Sequence, residues 1–424
     1  MKNRVADFLR KCDIRSILML CSGIIIAQVI SYLVAPVLTR LYTPEAFGTF
    51  SVITSITSAF IPVVTLQYDQ FIVIVSSEDE ADKLVALSIY LTFVISIIIT
   101  AGLFIYTCKT KNHVIQELNV WIYISIPILF FNSLINIITA YNNRLGEYKT
   151  ISQANIIRTV FQNSIKLLFG FADKNHYGLA GGVLLGSLAG IKKQAECLRH
   201  RWRKILKTNL KDLLIISVKY KEQPFFSMPG FFISSLSYSI LPIIISALYD
   251  SEEVGYFSLT MSMLGVPLNL ISESVGKVFL KKASEEKKYT GQFLKSYVYI
   301  SVLLLIIALP LFILIYLIAE PAFSIVFGTQ WIRSGTFVKV FAVLYFVRFI
   351  VSVLNQGLII SGRQLIKLII QILFIIEAIT GYLLAKKYSF DIISFLRFIS
   401  ISYTINYIVM WLAGLFVSGK RKGE

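Results

Sequence analysis

The sequence predicts an all-α polytopic membrane protein of about twelve transmembrane helices in two pseudo-symmetric six-helix lobes. Three observations carry this. The 424-residue chain is 56% hydrophobic and only 15% charged, with a mean hydropathy of +0.72, against roughly a quarter charged in a soluble domain. Apolar blocks of about 20 residues, the length that crosses a bilayer, recur along its whole length. Finally, LYTPEAFGTFSV at 41–52 returns as LYDSEEVGYFSL at 248–259, identical at six of twelve positions: Leu41/Leu248, Tyr42/Tyr249, Glu45/Glu252, Gly48/Gly255, Phe50/Phe257 and Ser51/Ser258. Each copy follows an apolar segment with a proline (Pro36, Pro242). Each precedes another with a proline (Pro62, Pro267) and then a carboxylate (Asp69, Glu273). A repeat at half-chain spacing is the plan of secondary transporters.

The expected spans are 16–38, 47–67, 84–107, 119–140, 152–172, 176–191, 225–248, 255–276, 296–318, 335–360, 365–385 and 391–416. They give an amino-terminal lobe (1–191), a basic cytoplasmic linker (192–224) and a carboxy-terminal lobe (225–424). The first block is too long for a signal peptide and lacks a small-residue cleavage site, so it reads as a retained span. The sixth carries Gly178, Gly182, Gly186 and Gly190 at four-residue spacing, which predicts close helix packing inside its half.

Lysine and arginine set the orientation. With the amino terminus in the cytoplasm, 29 of the 41 basic residues lie on the cytoplasmic side, 7 on the opposite side and 5 within spans. That asymmetry places both termini inside. It also accounts for the net charge of +17 without nucleic acid. In the linker, basic residues alternate with Leu, Trp and Ile. That pattern fits either a plain inter-lobe connection or an amphipathic helix on anionic lipid. Cys12, Cys21, Cys108 and Cys197 show no metal spacing, and His113, His176 and His200 fall in loops. Neither a metal site nor a cofactor is expected.

The informative residues are polar and lie inside spans. A cation at a helix centre costs roughly 2.5–3.5 kcal/mol, so Arg158, Lys166, Arg348 and Arg397 are expected to face protein or water. Asn155, Arg158, Thr159, Gln162 and Lys166 fall on one face of the fifth span. Weaker stripes are Asn132, Asn136, Thr139 and Asn143 on the fourth span, Arg348, Ser352 and Asn355 on the tenth, and Arg397, Ser400 and Thr404 on the twelfth. Together they predict a hydrophilic, net-cationic central cavity suited to an anion. Arginine grips phosphate in bidentate geometry, and amides and hydroxyls suit sugars. Asp69, Glu273 and Glu377 either couple H+ or Na+ to transport or pair with arginines at helix interfaces. Lys339, near a helix end, reads as a snorkelling side chain.

LTRLYTPEAFGTFS and TLQYDQFIVIVSSEDEADKL resemble the opening of Wzx-type O-antigen flippases, a branch of the multidrug/oligosaccharidyl-lipid/polysaccharide (MOP) exporter superfamily. KYKEQPFFSMPGFFISSLSYSILPIIISALYDSEEVGYFSLTMSMLGVPLNLISESVGKVFLKKASEE resembles the start of that family's second half, and FGTQWIRSGTFVKVFAVLYFVRFIVSVLNQGLIISGRQ its ninth-to-tenth span region. The chain departs at Gln67, where many relatives carry arginine. The resemblance implies a non-enzymatic flippase of the bacterial cytoplasmic (inner) membrane. It would move undecaprenyl-diphosphate-linked oligosaccharide to the periplasmic leaflet by ion-coupled alternating access. The diphosphate would meet Arg158, Lys166 and Arg348, the sugars the nearby amides and hydroxyls, and the polyprenyl tail lipid. A polysaccharide polymerase and a chain-length regulator are the implied partners. The chain has no GxxxxGK[ST] loop for ATP.

Two rivals differ in chemistry. A drug exporter of the same architecture would suit cationic substrates and an acidic cavity. A membrane glycan polymerase or ligase would need a sizeable outer loop. The basic spans oppose the first and the short outer loops the second. A structural scaffold would not need the polar stripe.

Overall fold

The structure is a computed structural model that describes residues 14–109, 116, 119–172, 176–199 and 201–419. Among the described residues, twelve long helices overlap the twelve expected spans: α1 (Ile14–Leu41), α2 (Pro44–Val64), α3 (Glu78–Lys109), α4 (Ser125–Leu145), α5 (Tyr148–Ala172), α6 (His176–Gln194), α7 (Met228–Leu248), α8 (Ser251–Thr290), α9 (Leu294–Phe327), α10 (Ile332–Leu354), α11 (Gln364–Tyr388) and α12 (Ile392–Gly419). No strand forms among the described residues. Nine of these helices are, among the described residues, long and apolar enough to cross a membrane. The exceptions are α5, α6 and α8, whose polar and glycine positions lower their hydropathy. A helix covered by its neighbours needs only an apolar stripe.

The chain divides into two compact units, one of residues up to Ala46 and from Ile53 to Ser235, the other of Phe47–Val52 and residues from Leu236 onward. The division falls inside α7.

The sequence repeat becomes a repeated corner. In the first unit α1 ends at Leu41, and Thr43 in extended conformation caps α2, its Oγ1 accepting from Ala46 N at 3.2 Å. In the second, α7 ends at Leu248 and Asp250 holds the same conformation before α8. The repeat tyrosines anchor both corners. Tyr42 Oη donates to the Lys166 carbonyl at 2.7 Å, and Tyr249 Oη to the Phe390 carbonyl at 2.9 Å.

The glycine stripe of α6 packs on α5, as its spacing predicts. A Cβ on Gly182 would lie 2.5 Å from Lys166 Cγ, and one on Gly186 2.7 Å from Gln162 Cβ. Only glycine permits this approach.

The linker is helical and docked within the first unit. Short helices at Trp202–Leu206 and Leu210–Lys219 bury Ile205, Leu213 and Ile216 against Tyr68, Ile72, Leu84 and Val85. Lys204 reaches Asp79 at 3.0 Å and Asp82 at 3.1 Å, and Arg201 pairs with Glu78. Hydrogen bonds to Glu78 and to Asp79 hold the Arg201 and Lys204 charges on, raising both groups above their ordinary range. Leu210, Leu214 and Val218 lie on the opposite, exposed face.

In the second unit α8 runs 40 residues, about 60 Å at 1.5 Å per residue. That is roughly twice the hydrocarbon thickness of a bilayer, so α8 extends well beyond its expected span. It ends at Gly291 in left-handed conformation. Glu286 then accepts from Ser296 N at 2.8 Å, holding the first turn of α9.

Candidate functional site

Two intramembrane groups of polar side chains stand out, one in each unit. In the first, α5 carries the expected stripe. Asn155, Arg158, Thr159 and Gln162 are half-buried and Lys166 is buried. Arg158 donates through Nη2 to the Asn132 side-chain oxygen on α4, which joins the fourth- and fifth-span stripes. Its partner is a neutral amide, and among the described residues no carboxylate pairs with it. The α6 glycines flank this face: Gly190 abuts Arg158, Gly186 Gln162 and Gly182 Lys166. Lys166 is therefore covered by α6, below the Tyr42 bond to its carbonyl. Asn136 is exposed, one helical turn from Asn132.

In the second unit, Arg348 on α10 lines a cavity of about 270 Å³. Its guanidinium carbon sits 5.1 Å from the Tyr345 ring centroid and 5.5 Å from that of Tyr238. Such distances give cation–π attraction. Arg348 Nη1 also donates to Tyr345 Oη at 3.3 Å, and among the described residues no carboxylate forms an ion pair with it. Behind it, Phe374 packs on Tyr403 and Tyr407 with centroids at 4.5 and 5.1 Å.

The other expected site residues lie apart from this cavity. Asn355 ends α10, with its side-chain oxygen buried and without a hydrogen bond. Arg397 is exposed near the start of α12. Ser400 spends its hydroxyl on the Val340 carbonyl of α10 and Thr404 its own on the Ser400 carbonyl within α12. Lys339 pairs with Glu320 at 2.8 Å.

The three carboxylates differ. Asp69 is 7% exposed and accepts from Thr65 Oγ1 at 2.7 Å. Burial raises its affinity for a proton, and the Thr65 bond acts the other way. It follows a break where Leu66 and Gln67 adopt left-handed conformation, φ 48° and 63°, strained for non-glycine residues. Gln67 is buried and turns back to the Pro62 carbonyl at 3.3 Å. On α11, Glu377 neighbours Asn406 of α12, and Glu377 Oε2 and Asn406 Nδ2 are both buried. Glu273 lies in α8, and its side chain is outside the described residues.

The residues that sequence reasoning missed are the tyrosines around Arg348. Their signal was present: Tyr345 precedes Arg348 by three, and Tyr403 and Tyr407 are four apart, each pair on one helix face. In a tyrosine-rich membrane protein, such pairs read as interfacial anchors.

A family model described as polysaccharide biosynthesis protein matches residues 37–336. The chain belongs to that family. No curated protein matches it. Among solved structures, an inward-facing multidrug resistance MATE family transporter of the MOP superfamily is similar at TM-score 0.67 and 15% identity, over 92% of this chain and 93% of that one. The lipid II flippase MurJ, in an inward closed conformation, is similar at TM-score 0.67 and 14% identity, over 94% and 87%. A MOP superfamily transporter from Pyrococcus furiosus, described as having reversed polarity of its binding pocket, is similar at TM-score 0.61 and 15% identity, over 95% and 94%. At such identities the likeness is one of fold. This member of the polysaccharide biosynthesis family is thus a multi-pass membrane protein with the MOP transporter fold. It agrees with the Wzx-type resemblance in its sequence.

Proposed function

We propose that this polysaccharide biosynthesis family member is a flippase. It carries undecaprenyl-diphosphate-linked oligosaccharide, an O-antigen or other surface-polysaccharide repeat unit, from the cytoplasmic to the periplasmic leaflet of the bacterial inner membrane. The observation that carries the reading is the company kept by the intramembrane arginines. Arg158 meets an amide and Arg348 meets phenols. A desolvated cation without a counter-ion is costly, and an anionic passenger offsets that cost. A drug exporter for cations has no use for it.

In this reading Arg158 grips the diphosphate, and Lys166, buried along the same face, adds positive potential. Asn155, Gln162 and Asn136 serve glycan hydroxyls, and the polyprenyl tail stays in lipid. Asn355 and Arg397 stand outside the principal contacts. Alternating access draws on H+ or Na+. Asp69 and Glu377 are the coupling candidates, each a buried or half-buried carboxylate without a basic partner among the described residues; Glu273 is the third. Both termini are cytoplasmic, and a polymerase and a chain-length regulator act on the delivered unit.

The test is a leaflet-crossing assay. The protein is reconstituted with a short labelled polyprenyl-diphosphate glycan, whose accessibility to an impermeant reagent is followed under proton and sodium gradients. Crossing by wild type and its loss in Arg158→Ala, with normal expression and folding, is the expected result. Crossing retained in Arg158→Ala removes the residue from the path.

A further inference from the structure

The Arg348 cavity has a composition that suits one part of such a passenger better than the rest. It offers a single guanidinium, whereas a diphosphate brings about two negative charges into a site that must strip its water. Its lining includes the aromatic rings of Tyr238, Tyr345, Phe374, Tyr403 and Tyr407. Aromatic rings present broad amphipathic surfaces on which the C–H face of a sugar ring can lie. Two of the hydroxyls are already engaged. Tyr345 Oη donates to Met261 Sδ at 3.1 Å while accepting from Arg348, and Tyr403 Oη donates to the Phe374 carbonyl at 3.1 Å. The hydroxyls of Tyr238 and Tyr407 have no hydrogen-bond partner among the described residues, although Tyr407 is only 6% exposed. A cavity of about 270 Å³ lies near the lower end of small-molecule pockets, ~300–1,000 Å³, a scale that suits one ring with its substituents.

We propose that this cavity is a subsite for one acidic sugar, a pyranose bearing a single carboxylate. Arg348 receives the carboxylate through its remaining N–H groups, in the bidentate geometry that arginine favours. The Tyr238 and Tyr407 hydroxyls bind ring hydroxyls, and the aromatic wall stacks on the ring. The inference rests on the flippase reading for its biological source, the glycan of the lipid-linked substrate. It reassigns Arg348 from the diphosphate to the sugar.

The experiment is saturation-transfer NMR on the full-length protein in detergent, with free glucuronate, glucose and inorganic pyrophosphate as probes. It reads binding without transport, so a negative leaflet-crossing assay does not decide it, nor does it decide that assay. Wild type is expected to favour glucuronate over glucose by roughly tenfold, with pyrophosphate unable to displace it. Arg348→Gln is expected to lower glucuronate to the level of glucose, and Tyr407→Leu to weaken both sugars. Equal binding of glucuronate and glucose by wild type, or displacement of glucuronate by pyrophosphate, overturns the proposal. The wild-type comparison stands even if Arg348→Gln fails to fold.

Discussion

Arg158 and Arg348 stand in opposite surroundings although each meets only neutral partners. Arg158 lies on a face of α5 flanked by the α6 glycines, its hydrogen-bond partner a single amide on α4. Its helix is set in place by close backbone packing against α6. Arg348 stands in a cavity, held by the faces of two tyrosines and one phenolic oxygen. Packing fixes the first cation, and a cage with free volume beside it fixes the second. A guanidinium kept charged without a counter-ion serves an anion in either setting. The rigid one suits a group common to every substrate, and the caged one a group that varies in shape.

The largest expected effect comes from supplying the missing counter-ion. Asn132→Asp would pair with Arg158 inside the first unit. Leaflet crossing should fall on the order of 100-fold while thermal stability in detergent holds or rises. Unimpaired crossing would show that the Arg158 charge does not touch the passenger. Arg158→Lys, which keeps charge and loses the fork, should retain a measurable fraction of the wild-type rate.

Next comes the packing itself. Gly186→Ala places a methyl 2.7 Å from Gln162 Cβ and 3.0 Å from Gln162 Cα, and backbone atoms cannot turn aside. A loss of about 1–3 kcal/mol is expected, read as a lower midpoint in thermal unfolding.

Much of this contrast was legible in the chain. The α5 stripe and the α6 glycine spacing are periodic features, and periodicity is what a helix converts into a face. That the two faces meet depends on helix order and rotation, which no single segment encodes. The Tyr42 and Tyr249 anchors followed the repeat, yet their acceptors, the carbonyls of Lys166 and Phe390, lie more than a hundred residues away. Arg397 was read from a stripe that includes Ser400, but a three-residue step rotates a helix enough to leave one exposed and the other buried. The tyrosine cage escaped because α7, α10 and α12 each contribute one or two members.

A smaller effect concerns the Asp69 break. Burial favours the protonated carboxyl, so a raised folded-state pKa means the neutral form is favoured below it and the charge is forced on as pH rises through it. Asp69→Asn fixes the neutral form. If Asp69 carries the coupling proton, crossing by the variant should lose its response to a pH gradient. An unchanged response assigns Asp69 to structure.

The smallest effect is the counterpart of Gly186→Ala in the other unit. Gly265 on α8 lines the Arg348 cavity, and a Cβ there finds Tyr345 Oη at 3.8 Å and nothing closer. That is ordinary van der Waals distance, so Gly265→Ala adds a methyl to free volume and gains helix propensity of up to about 1 kcal/mol. The thermal midpoint should hold or rise slightly, opposite in sign to Gly186→Ala. The same methyl narrows the cavity, so binding of a ring-sized ligand should fall severalfold without loss of fold. Two identical substitutions with opposite effects on stability would separate packing from free volume as the way each unit holds its arginine. If Gly265→Ala destabilised as strongly as Gly186→Ala, the cavity beside Arg348 would be closed in the membrane, and the contrast would fail.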